Sequence, residues 1–221
     1  MDVCLQFRDA RAAIDGEGRR SWNVKRTNFV GALVLSFALS LAGAAGLAHA
    51  GAATDVVKAK QTALFELLKK PSNDAKISAM FDELLDYQAL AEASLGSEWA
   101  ARTDAEKAEF SALLKQLVRK SYERNLKKTL NFNIEYTAEE KKGDAIVVKT
   151  RAVSKTDARS EPVEIAYVMA EKNGAWRVKD IITDDVSLVS SYRSQFTKIV
   201  KKDGFPALIK KMKDKLAKGD V

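Results

Sequence analysis

The chain has 221 residues, 46% of them hydrophobic and 30% charged, with a formal net charge of +7, which fits a soluble globular protein of one domain or two small ones. Its one cysteine, Cys4, and its one histidine, His49, both lie in the first 50 residues. With that segment removed the charge falls to +5, and no disulfide, thiol nucleophile, histidine base or Cys/His zinc site remains available.

Lys25-Arg26 is followed by an uncharged apolar run from Phe29 to Leu47 and then by Ala48-His49-Ala50, the small-x-small pattern read by a signal peptidase. Residues 1–50 therefore read as an N-terminal extension plus a cleaved export signal, which carries the mature protein out of the cytoplasm. The alternative is an uncleaved membrane anchor, since the run approaches the ~20 residues that span a bilayer. Asp2, Asp9, Asp15 and Glu17 are unusual in a leader, and a start at Val24 from a GTG codon would give one of ordinary shape. A basic protein outside the cytoplasm meets anionic lipid more often than nucleic acid.

After the leader, Thr54 is placed to cap a helix with Val57, Leu64, Phe65 and Leu68 on its inner side, ending at Lys69-Lys70 before Pro71. Ile77, Met80, Phe81, Leu84 and Leu85 make the one-sided stripe of a second helix starting near Ser72-Asn73. Tyr87 to Leu95 reads as a short third helix that Gly96 ends, with Trp99 packing beyond. Thr103-Asp104-Ala105-Glu106 is a capping box opening the longest helix, whose stripe is Phe110, Leu113, Leu114, Leu117, Val118, Tyr122, Leu126 and Leu130.

The period then changes to two. Phe132, Ile134 and Tyr136 alternate with polar residues; Lys142-Gly143-Asp144 signals a hairpin; Ile146, Val148 and Ala152 mark a second strand. Pro162 opens a third strand with Val163, Ile165, Tyr167 and Met169 on one face, and Lys172-Asn173-Gly174 turns into a fourth, Trp176 to Ile182. In that last strand Trp176, Val178, Asp180 and Ile182 share parity. At Thr183-Asp184-Asp185 the chain turns into a helix carrying Val189, Tyr192, Phe196, Ile199 and Val200. Gly204 stops it, and Phe205, Leu208, Ile209, Met212 and Leu216 stripe the final helix. Hairpin-linked strands flanked by helices predict an α+β fold with a four-stranded antiparallel sheet, as one domain over residues 51–221.

The run Val186-Ser187-Leu188-Val189 with Tyr192-Arg193-Ser194-Gln195-Phe196, together with Leu95-Gly96-Ser97-Glu98-Trp99 and the helix carrying Phe110 and Tyr122, resembles the MlaC/toluene-tolerance family. These are periplasmic proteins that carry phospholipids between the two membranes of Gram-negative bacteria, and the resemblance covers most of the chain after residue 54. One departure is visible: Asp185 stands where the family pattern implies a glycine before the Val-Ser.

The resemblance implies a curved sheet with helices on its concave face and an apolar lipid cavity between them. Its lining would be Phe81, Leu84, Phe110, Leu114, Leu117, Val118, Ile146, Val148, Ile165, Tyr167, Met169, Trp176, Val178, Val189 and Tyr192. It also implies a monomer without cofactor or enzymatic activity. Such a carrier would exchange phospholipid with an outer-membrane lipoprotein complex and with the substrate-binding component of an inner-membrane ABC transporter, maintaining outer-membrane asymmetry. The flexible side chains of Met80, Met169 and Met212 suit disordered acyl chains. By the residues alone, the same stripes read as ordinary core.

Two further readings stand beside this one. A hopanoid or other lipid could replace phospholipid as cargo. An acid–base enzyme could use Asp180 from the apolar side of the sheet, against which stand the absence of any hydrolase, zincin or nucleotide motif and a structural use of Asp180, as partner of Arg193 or cap of the next helix. A lysine-rich surface over the final helices and Arg119, Lys120 and Arg124 on the long helix would serve an adaptor docking protein partners.

Overall fold

The computed structural model describes residues 51–69 and 73–219, with the side chains of residues 123–127 excepted. The leader and its cleavage pattern lie outside the described residues. In order, the elements are α1 (Ala52–Leu68), α2 (Asp74–Leu84), α3 (Tyr87–Leu95), α4 (Asp104–Leu126), β1 (Phe132–Lys142), β2 (Ala145–Ser154), β3 (Val163–Lys172), β4 (Ala175–Thr183), β5 (Val186–Ser187), α5 (Leu188–Asp203) and α6 (Phe205–Lys218). None of the described helices is long and apolar enough to cross a membrane.

The expected α+β arrangement holds, but the sheet has five strands in the order β1-β2-β3-β4-β5, not four. The added strand is two residues long, too short to leave an alternation in the sequence. Ile182 pairs with Ser187 and Thr183 with Val186 across a turn whose central residues, Asp184 and Asp185, have φ of 46° and 65°. Positive φ at both central positions is the hairpin geometry whose twist matches that of the strands it joins. The position expected to be glycine is thus a left-handed one, filled here by aspartate. Asp184 also fastens the turn to β3, accepting from the Glu164 amide at 3.1 Å and donating its own amide to the Glu164 carbonyl at 2.9 Å.

Two bulges decide which side chains face the helices. On β1 the register steps from Tyr136 opposite Thr150 to Ala138 opposite Lys149, so Thr137 is the extra residue. Beyond it Glu139, which strict alternation would send outward, lies opposite the fully buried Val148. On β4 the register steps from Val178 opposite Met169 to Asp180 opposite Val168, with Lys179 extra. Ile181 then faces Tyr167 across the pair, and Ile181, not Ile182, packs on the core. The expected shared parity of Trp176, Val178, Asp180 and Ile182 therefore ends at Lys179.

Glu139 shows what the first bulge achieves. Its carboxylate accepts the Gly51 amide at 2.8 Å, the Thr54 amide at 2.9 Å and the Thr54 hydroxyl at 2.5 Å. Free N–H groups at the start of α1 are satisfied from the sheet, and Thr54 sits inside the helix instead of capping it from its own side chain. The start of α4 is local: Thr103 and Glu106 close the expected box, with Glu106 accepting the Thr103 amide at 2.9 Å and Thr103 the Glu106 amide at 3.2 Å. The α-helix ends at Leu126, and Leu130 falls in the short 3-10 turn over Lys127–Asn131.

Because β5 covers only the last residues of β4, the rest of that edge needs another partner. The α2–α3 link supplies it, with Leu85 bridging Val178 and the Asp86 amide donating to the Val178 carbonyl at 2.9 Å. Asp86 also caps α3, accepting the Ala89 amide at 3.1 Å, and pairs with Lys172 at 2.8 Å. Burial resists its ionisation, but Lys172 and the α3 amides outweigh that and hold the carboxyl below its ordinary range.

Candidate functional site

The apolar faces of the sheet and helices meet in one cluster. Phe81, Phe110, Leu114, Leu117, Val118, Val148, Met169, Val178 and Val189 are buried within it, and Leu84, Ile146, Tyr167, Trp176 and Tyr192 are half-buried against it. Of the residues expected to line a cavity, only Ile165 stays outside this cluster, half-buried on β3.

These positions divide into two kinds. Phe110, Val148, Met169 and Val178 are 0% exposed and Leu114 is 1% exposed, so they are sealed packing that leaves no surface for a ligand. Phe110 is the centre of an aromatic knot, edge-on to Phe196 at 5.5 Å and close to Phe205 at 6.3 Å and Trp99 at 6.5 Å. Met169 and Met212 are likewise packed away, while Met80 keeps part of its surface. Accessible apolar surface against the cluster belongs instead to Leu84, Ile146, Tyr167, Trp176, Ile181 and Tyr192.

Composition alone gave no sign that the tyrosines belong together. All five in the chain, Tyr87, Tyr122, Tyr136, Tyr167 and Tyr192, are half-buried against this same cluster, one each from α3, α4, β1, β3 and α5. Tyr122 stacks on Phe81 at 5.5 Å and Tyr192 on Phe196 at 5.3 Å. Lys115 sits 5.2 Å over the Tyr87 ring and is itself anchored by Asp82 at 2.9 Å. Tyr136 donates to Gln61.

Their electrostatics show a shared, poorly solvated environment. Burial pushes the phenols of Tyr136, Tyr167 and Tyr192 up to about 12, with Tyr167 adding to the effect on Tyr136 and a hydrogen bond to Thr150 partly offsetting it at Tyr167. Tyr122 is raised further, first by burial and then by Tyr167, Tyr192, Asp180 and Tyr87. These are amphipathic rings with neutral hydroxyls, arranged around apolar surface. Such a surface solvates hydrocarbon and offers hydrogen bonds at its margin.

Of the two structural uses expected of Asp180, a partner of Arg193 or a cap for the next helix, the structure sides with the second, and Arg193 goes elsewhere. The Asp180 carboxylate accepts the Ser187 hydroxyl at 2.6 Å, the Ile181 amide at 2.8 Å and the Val189 amide at 3.0 Å, which fixes the start of α5. Arg193 donates through Nε to the Ala93 carbonyl at 2.8 Å, closing the end of α3 instead. The N-cap of α5 is Ser187, whose Oγ accepts the Ser190 amide at 3.0 Å, and Asp180 backs that cap from β4 with both its oxygens occupied by structural donors.

A polar pocket of about 250 Å³ opens at the β3–β4 hairpin, lined by Leu85, Asp86, Lys172, Asn173, Ala175 and Arg177. Its charges are already engaged, Lys172 with Asp86 and Arg177 with the carbonyls of Asp82 and Glu83 at the end of α2, and its apolar lining is limited to Leu85 and Ala175.

Over residues 52–214 the chain matches the family model described as MlaC protein. No curated protein matches it. Among solved structures it is similar to a phospholipid-binding protein from Ralstonia solanacearum in complex with a phospholipid, at 20% sequence identity and a TM-score of 0.65, covering 79% of this chain and 100% of that one. The two share a fold.

Proposed function

The chain belongs to the MlaC protein family, and from that membership and the inner surface described above we propose that it is a periplasmic phospholipid carrier. It holds the acyl chains between the sheet and the helices and leaves the headgroup at the rim. It takes lipid from, or gives it to, an outer-membrane lipoprotein complex and the substrate-binding component of an inner-membrane ABC transporter. In that role it acts as a monomer without catalysis.

The observation that carries this reading is that all five tyrosines pack half-buried against the same apolar cluster as Leu84, Ile146, Trp176 and Ile181. At roughly 0.8 kcal/mol per methylene, two acyl chains cost on the order of 20 kcal/mol to expose to water, so unassisted passage between membranes is negligible. A carrier need only approach the solvation of a bilayer for exchange to run both ways. Dry walls meet that requirement better than strong specific bonds. The structural donors on both oxygens of Asp180 weigh against the one carboxylate considered for acid–base chemistry.

For docking, α5 and α6 present Lys198, Lys201, Lys202 and Lys215 to solvent, while Lys211 pairs with Asp203 at 2.8 Å and Lys213 with Glu109 at 2.6 Å. The exposed lysines suit acidic partner surfaces. Transfer of a quenched fluorescent phospholipid from donor to acceptor vesicles tests the function. The rate rises with protein concentration if the chain is a carrier, and a rate no faster than in its absence overturns the proposal.

A further inference from the structure

Glu139 holds the nitrogen of the residue that follows the expected cleavage point. Its Oε1 accepts from Gly51 N at 2.8 Å, while Oε2 is occupied by the Thr54 amide and hydroxyl. Gly51 has φ of 112°, a backbone conformation that side-chain-bearing residues rarely adopt, and nothing lies within 4 Å of where its Cβ would be. The carboxylate reaches this point only because the bulge at Thr137 turns Glu139 to the helix side of β1.

We propose that Glu139 is the receptor for the α-ammonium group created when the leader is cut between Ala50 and Gly51, so that processing completes an ion pair between the new terminus and the sheet. Hydrolysis adds one water across that peptide bond: Ala50 leaves with a carboxylate, and the Gly51 nitrogen becomes an amine that takes up a proton. A neutral amide donor becomes a charged one at the same acceptor, and charge-assisted bonds are about twice as strong.

The position makes such a receptor necessary. Gly51 immediately precedes α1, and a new positive charge there faces the positive end of the helix dipole. Asp55 in the first turn gives some compensation, but Glu139 is the carboxylate in contact. Burial resists its ionisation, and the Thr54 hydroxyl and the Gly51 and Thr54 amides reverse this and hold its carboxyl below the ordinary range, so it is charged when the ammonium appears. The inference concerns maturation and stands whether or not the protein carries lipid.

The test uses the full chain, expressed with its own leader in a Gram-negative host and purified from the periplasm. Intact mass should give a start at Gly51. Cyanate at neutral pH, which reacts with unprotonated α-amines, should modify the wild-type terminus at least about fivefold more slowly in the folded protein than in guanidinium, as expected of an ammonium held by a carboxylate. Modification should then lower the wild-type melting temperature and leave that of Glu139→Gln unchanged. A terminus elsewhere, or an α-amine that reacts as fast folded as unfolded, overturns the proposal, and the reactivity comparison needs no variant.

Discussion

Gly96 is closed against Arg193: a Cβ on Gly96 would meet Arg193 Cδ at 3.2 Å and Nε at 3.3 Å, while that same Nε donates to the Ala93 carbonyl at 2.8 Å. The residue ending α3 and the side chain satisfying its last turn thus occupy one small space. Gly96 also has φ of 60° and ψ of −130°, a region disfavoured for any residue with a Cβ. Gly96→Ala should therefore cost about 2 kcal/mol in a denaturant titration. Arg193→Ala added to it should recover part of that loss by removing the clash, so the two changes will not be additive.

Asp180 and Arg193 secure different helices, so their removals should add. Asp180→Ala takes the acceptor from the Ser187 hydroxyl and Val189 amide at the start of α5 and from the Ile181 amide in β4, and should cost about 2–3 kcal/mol. Arg193→Ala removes one helix-end bond and should cost about 0.5–1 kcal/mol. The double variant should show the sum within about 0.5 kcal/mol by the same titration. A coupling well above that would restore the ion pair that the structure replaces.

The left-handed Asp185, with φ of 65°, stores a small strain that glycine would relieve. Asp185→Gly should stabilise the protein by roughly 0.5–1 kcal/mol, part of the gain being offset by the greater freedom of glycine when unfolded. The shift in denaturation midpoint, at unchanged slope, reports it.

Much of the fold was legible because its causes are local. Gly96 ends α3, Thr103 and Glu106 box the start of α4, and Phe205, Leu208, Ile209 and Met212 stripe α6 as the periodicity predicts. What escaped depends on chain segments far apart in sequence. A bulge such as that at Lys179 exists only relative to its partner strand, and one extra residue moved Ile182 out of the row expected to be buried. The Glu139 bonds to α1 span 85 and 88 residues, and nothing near Glu139 announces them. The candidate site was legible as a face but not as a surface: parity could not separate sealed residues such as Val148 from half-open ones such as Tyr167, and five scattered tyrosines carry no motif.

The tyrosine cluster sets a response to alkali. Phenols raised from 10 to about 12 in the folded protein keep their protons after those of the unfolded chain have left. From about pH 10 upward the unfolded state binds fewer protons than the folded one, so stability falls as pH rises toward about 12. Phenolate absorbance should appear together with unfolding, not ahead of it. Tyr167→Phe should make the fall shallower, and a full phenolate signal from a folded wild-type protein would refute the shared, poorly solvated environment.

The location of the cargo is tested by placing charge where apolar surface remains accessible. Tyr167→Asp and Leu84→Asp put an unpaired carboxylate on half-buried positions, where it should exclude acyl chains without entering the sealed core around Phe110 and Val148. Lys201→Ala on the exposed side of α5 is the control. The decisive measurement is the native mass of each protein purified from the periplasm, with folding checked by circular dichroism. The wild type and Lys201→Ala should carry the added mass of a bound phospholipid, and the two charged variants should be folded without it. A wild-type protein that emerges at its bare mass, and takes up no lipid from phospholipid vesicles, would contradict the account.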